Sequence, residues 1–172
     1  IMRESQIWTL QVDVDRYVLD LQWTGEALVD LTIGKYDYGG LFVRMPWKPG
    51  MQGEVVNNAR QRDERAEGQR AVWLDVGLQV DGRDDLAHIS IFDHPQNGGF
   101  PQPWRVDPQM GVGPVRARLG DWKMTQGEQE TIRHRLVIHS GQLDDLELTR
   151  QWSTFAGVGL DWAQWQIAQE LG

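Results

Sequence analysis

Ala71-Val-Trp-Leu-Asp-Val-Gly-Leu-Gln-Val80, then Asp81-Gly82, then Leu86-Ala-His-Ile-Ser-Ile-Phe92 is the stretch that decides the fold. The first run reads as a strand, and Asp-Gly is a favoured hairpin turn because glycine adopts the positive φ such turns require. Leu86 to Phe92 returns as its partner.

Strand-like patterning continues outward on both sides. Ile7, Thr9 and Gln11 alternate with Trp8, Leu10, Val12 and Val14. Arg16 to Trp23 sets Tyr17, Leu19, Leu21 and Trp23 on one face. Thr24-Gly25-Glu26 signals a turn, Ala27 to Ile33 a third strand, and Leu41-Phe-Val-Arg-Met45 a fourth. Residues 46–70 lose periodicity and read as a long exposed loop. Val115 to Leu119 is a short strand. Thr131 to His139 alternates Ile132, His134, Leu136 and Ile138 against Arg133, Arg135, Val137 and His139. From Asp144, Leu146, Leu148, Trp152 and Phe155 recur near helical spacing, and Asp161 is placed to cap a final helix through Trp162, Trp165 and Ile167. The expectation is all-β: one antiparallel β-sandwich domain over residues 1–172, with one or two C-terminal helices.

The chain has 172 residues, 40% of them hydrophobic, enough for one domain with a real core. Its net charge of -8 argues against nucleic acid, which calls for a basic stripe. The absence of cysteine excludes disulfides, thiolate metal sites and a cysteine nucleophile. No run of about 18 apolar residues exists, so no membrane partner is expected. A soluble chain follows, in the cytoplasm or the periplasm. Starting on Ile1, the chain reads either as the C-terminal part of a longer protein or as a natural start at Met2. An incomplete sandwich would expose an apolar sheet face, so a homo-oligomer or a missing N-terminal half is the expected partner.

Residues 91–105 carry the candidate site. A strand ends at Asp93-His94-Pro95, and the loop beyond holds Asn97, Trp104 and Arg105 among prolines that restrict φ. His94 reads as a general acid or base, or as a hydrogen-bonding cap on the strand end. Asp93 joins it only if the strand ends or bulges there, since neighbours on a strand face opposite ways. Trp104 either stacks on a ligand ring or plugs the sandwich end; Arg105 either anchors hydroxyls or pairs with an acid. Arg44 shares a face with Phe42 and is either an anchor or simply exposed. His139 lies on a face with Arg133 and Arg135, which is either a binding face or the solvated side of the strand. His88 and His94 are six apart, about 20 Å on a continuous strand, too far to share a metal. No metal-binding motif is present and no cofactor is called for, although His94, His139 and a carboxylate such as Asp75 can still meet in three dimensions.

Tyr36-Asp-Tyr-Gly-Gly-Leu-Phe-Val-Arg-Met45, Asn57-Asn-Ala59, Arg70-Ala-Val-Trp-Leu-Asp75, Ile91-Phe-Asp-His-Pro95 with Asn97, Pro101, Pro103-Trp-Arg105 and Leu136-Val-Ile-His139 occur in that order. Over most of residues 1–156 the chain resembles the bacterial PmoA-like family, labelled methane oxygenase PmoA. The resemblance implies a galactose-mutarotase-like supersandwich that handles sugars. It departs from the family in lacking an upstream His-rich segment, and in Gly98-Gly99, where a softer loop is expected.

Three functions follow as expectations. The first is a carbohydrate-active domain that binds a sugar or glycoside on a concave sheet face, with epimerase- or lyase-type proton transfer. Its catalytic set is His94, Asp93 and His139; its substrate-binding set is Arg44, Asn97, Trp104, Arg105 and Tyr36. The second is a non-catalytic sugar-binding or assembly module. The third is a metal-dependent oxygenase, as the family label suggests.

Overall fold

The computed structural model describes residues 1–160. The elements in chain order are β1 (Met2–Val12), β2 (Tyr17–Ala27), β3 (Leu31–Ile33), β4 (Val43–Arg44), β5 (Gly53–Asn57), β6 (Trp73–Gln79), β7 (Leu86–Asp93), β8 (Trp104–Val106), β9 (Gly111–Pro114), β10 (Trp122–Met124), β11 (Gln129–Ser140) and α1 (Asp145–Ala156). All strand pairs are antiparallel. Six strands form the main sheet in the order β1-β2-β11-β7-β6-β5, and β4-β9-β8 and β10-β3 make two small sheets.

The β6–β7 hairpin forms as its sequence dictates. Leu74 pairs with Ile91 and Val76 with Ile89, and Gly82 takes a φ of 79° in the turn. Period-two alternation then gives the main sheet two different faces. Val55, Leu74, Val76, Leu78, Ile91 and Leu136 point one way, onto Trp104, Val106 and Val112 of the three-stranded sheet. Trp73, Phe92 and Val137 point the other way, onto Leu148 and Trp152 of α1. The result is an all-β sandwich with a C-terminal helix packed on its outer face.

α1 begins where Asp144 accepts hydrogen bonds from the backbone N–H groups of Leu146 and Glu147, and ends at Gly157 in the left-handed conformation. Leu148, Thr149, Trp152 and Ser153 are its buried stripe. Two indole N–H groups lock it down: Trp73 donates to Thr149 Oγ1 and Trp152 to the Asp93 carbonyl. The second helix expected from Asp161 lies outside the described residues. No helix among those described is long and apolar enough to cross a membrane.

Several local expectations are corrected. Thr24-Gly25-Glu26 is not a turn: Gly25 lies within β2, and the Trp23 ring covers it so closely that a Cβ there would collide with the indole. The third strand shortens to three residues. Residues 46–70 are not one open loop. They contain β5 and a 3-10 turn at Asp63–Arg65, stitched by Asn57, whose Oδ1 accepts from the backbone of Ala59 and Gln61. Val115 to Leu119 is a 3-10 turn over Arg116–Leu119, with the adjacent strand shifted back to Gly111–Pro114.

Candidate functional site

A cleft of about 740 Å³ is lined by residues of β1, β2 and β11, of segment 34–42 and of β10. That volume falls in the roughly 300–1,000 Å³ range of small-molecule sites. Its walls carry Trp8, Trp23, Tyr36, Tyr38, Phe42 and Trp122. Polar groups are set between the rings. Glu4 accepts from Trp23 Nε1 at 2.9 Å, and Gln6 accepts from Trp8 Nε1 at 3.3 Å, so both indoles are held in place. The Arg116 guanidinium lies 4.0 Å from the Trp122 ring centre, and its Nε has no hydrogen-bond acceptor among the described residues.

His134 also lines this cleft, on the same face of β11 as Ile132. Its Nδ1 lies 3.3 Å from the Phe92 carbonyl oxygen. A carbonyl can only accept, so Nδ1 carries the proton and Nε2 is the basic nitrogen. Burial pushes the imidazole down to about 4. Behind it, Asp93 is fully buried, with Oδ1 3.7 Å from His134 Nδ1. Burial pushes the Asp93 carboxyl up to about 7, against hydrogen bonds from Asn97 Nδ2 at 2.7 Å and the Gln102 backbone N–H at 2.9 Å. Gln102 reaches the cleft as well.

The sequence candidates do not gather in one place. Asp93 and Tyr36 belong to the cleft, Asp93 behind it and Tyr36 on its wall. Asn97 is a clamp rather than a ligand contact: buried, it donates to Asp93 and to the Arg133 carbonyl and accepts from the Arg133 N–H. Trp104 is fully buried and donates to the Ala71 carbonyl, so the expectation that it stacks on a ligand is corrected. Arg44 is exposed and pairs with Asp107 at 3.2 Å. Arg105 pairs with Glu67 at 2.7 Å and touches the cleft only through Tyr38, whose hydroxyl accepts from it at 2.9 Å.

His94 is a cap on the end of β7. Its Nδ1 accepts from the Gln96 N–H, and its ring meets Phe155 edge-on at 5.1 Å, away from the cleft. Burial and the nearby Arg133 lower its affinity for a proton. The loop beyond it is tied down rather than slack: Arg70 donates to the carbonyls of Gly99, Phe100 and Pro101. Gly98 lets Glu130 approach, since a Cβ there would sit 2.6 Å from Glu130 Oε1.

His139 belongs to a different group, on the α1 face of the sheet. It stacks on His88 with ring centres 4.9 Å apart, and both approach Asp75. Ser90 Oγ donates to Asp75 Oδ1 at 2.6 Å. Although burial alone would raise the Asp75 carboxyl, hydrogen bonds from His139, His88 and Ser90 hold it below the usual carboxylate range. Spacing along the chain does not bring His88 and His139 to notice, because only the register of β7 against β11 sets them opposite one another.

The sequence model of a family of unknown function, DUF6807, matches residues 1–153. No curated protein and no solved structure matches the chain.

Proposed function

This chain belongs to the DUF6807 family of unknown function, and we propose that it binds a sugar or glycoside in the aromatic cleft. One observation carries the reading: six aromatic side chains and a set of hydrogen-bonding groups line a single cleft of small-molecule size. Aromatic faces suit the C–H faces of pyranose rings, while Glu4, Gln6, Gln102 and Arg116 suit hydroxyls. Stacked nucleobases also use aromatic walls, but they come with phosphates and need a basic groove. A net charge of -8 and Glu4 in the cleft oppose that. Kinship with the PmoA-like family and with mutarotase-like sandwiches rests here on the motifs and on the antiparallel sandwich alone.

The chemistry proposed for the cleft is proton transfer at His134, of the epimerase or lyase type. Neutral at pH 7, with its proton directed at the Phe92 carbonyl, His134 is a base whose orientation Phe92 and Asp93 control. His134 thus takes the part expected of His94. One observation favours the non-catalytic alternative: His134 is only 2% exposed, so substrate reaches it only at the floor of the cleft.

Solvent deuterium exchange separates the two. Saccharides found to bind by calorimetry are incubated in D₂O and followed by NMR. Deuterium entering a ring C–H with wild type but not with His134→Asn supports catalysis. Binding without exchange leaves a sugar-binding module.

A further inference from the structure

We propose that Asp75, His88 and His139 form a binding site for a divalent transition-metal ion on the face of the main sheet opposite the cleft. The inference is independent of the sugar reading, since no residue of this group lines the cleft.

The three residues stand on three adjacent strands of the main sheet. Strand register alone juxtaposes them: Asp75 pairs with Ser90 in one row, and His88 pairs with His139 in the next. One ligand atom from each, an imidazole nitrogen of His88, one of His139 and an Asp75 oxygen, lie within 4.8 Å of one another. Two imidazoles and one carboxylate form a donor set used for zinc and, with open positions, for non-haem iron.

The separations are close to those a metal would impose. Bonds of about 2.0–2.2 Å at tetrahedral angles hold ligand atoms about 3.3–3.6 Å apart. His139 Nε2 already lies 3.4 Å from Asp75 Oδ1. His88 Nδ1 and Asp75 Oδ2, at 2.6 Å, share a proton that a metal would displace, and they need open by only about 1 Å.

Two further features fit a built site. Gly77 lies directly under His88, and a Cβ there would stand 2.6 Å from His88 Cε1 and 2.7 Å from Nδ1. Glycine at this position is what allows the imidazole to lie against the sheet with Nδ1 aimed at Asp75. Ser90 anchors the carboxylate from outside the donor set, the role outer partners play in orienting ligands. Asp75 and His88 are buried, whereas the His139 side chain is 16% exposed, so the rim is open on one side to water or a further ligand.

The test is titration of chelator-treated protein with Co²⁺, followed by visible absorption, with Zn²⁺ competition. Saturable binding of one equivalent is expected. His139→Ala, at the open rim, should weaken it by more than the roughly 10–100-fold that loss of an outer-shell partner costs. His94→Ala should leave it unchanged. Should His139→Ala fail to fold by circular dichroism, imidazole NMR of wild type decides: Zn²⁺ must shift His88 and His139 but not His94 or His134. No saturable binding by wild type, binding indifferent to His139→Ala, or shifts confined to other histidines would overturn the proposal and leave the group as a hydrogen-bonded strut.

Discussion

His134 and Asp93 are cross-strand partners on β11 and β7, with Nδ1 3.7 Å from Oδ1, and burial drives their proton affinities in opposite directions. The carboxyl rises to about 7 and the imidazole falls to about 4. Each displacement has its own signature in stability against pH.

Asp93 binds its proton more tightly folded than unfolded, so its contribution is fully present below about pH 4 and is lost as pH rises towards 7. His134 binds its proton less tightly folded, so its contribution is present above about pH 6.5 and is lost as pH falls towards 4. Between about pH 4 and 6.5 the two slopes oppose, and wild-type stability should be nearly flat. Asp93→Asn should leave a stability that climbs with pH across that window. His134→Gln should leave one that falls. Either slope should reach about 3 kcal/mol over the window, measured by urea denaturation at stepped pH.

Trp104 should behave as core. Trp104→Ala is expected to cost about 3–5 kcal/mol in urea denaturation. Trp104→Phe, which keeps most of the volume but loses the hydrogen bond to the Ala71 carbonyl, should cost less and leave saccharide affinity unchanged.

Gly25→Ala should disturb the cleft without touching its polar groups. The new methyl displaces the Trp23 ring, at about 1–3 kcal/mol of stability, and should weaken any saccharide bound there. Calorimetry with the variant and with wild type checks this.

Asn97→Ala removes the two hydrogen bonds that Asn97 makes to the Arg133 backbone of β11, and its bond to Asp93. It is expected to cost about 1–3 kcal/mol, because the Asp93 and Arg133 groups it leaves are buried or half-buried. Limited proteolysis should then cut within the loop, where wild type resists.

The edge strand β1 exposes Trp8, Leu10 and Val12, and β2 is its only strand partner among the described residues. An apolar edge of this kind pairs with other chains. Concentration-dependent association is expected in sedimentation velocity, and Leu10→Lys should reduce it.

The hairpin of β6 and β7 was legible because alternation and an Asp-Gly turn agree there. β8 and β10 were not, since three residues carry no measurable period. β5 was hidden because Val55 and Val56 are its only apolar side chains, set beside Gly53, Glu54 and Asn57. The alternation of β11 was plain, yet which of its faces lines a cleft depends on where segment 34–42 and β10 pack. That choice separates His134 from His139. Trp104 beside Pro103 and Arg105 reads the same in a binding loop as in a core; only burial tells them apart. The Asp75, His88 and His139 group depends on strand pairings that join residues up to 51 positions apart, from His88 to His139.

Tryptophan fluorescence during titration with mono- and disaccharides tests the central claim most directly, because Trp8, Trp23 and Trp122 line the cleft while Trp104 is sealed in the core. A saturable change in wild type is expected, kept in Trp104→Phe and weakened at least about tenfold in a Tyr36→Ala, Trp122→Ala double variant that still folds. A flat response to every saccharide, or one the double variant leaves intact, would contradict the assignment of the cleft as a sugar site.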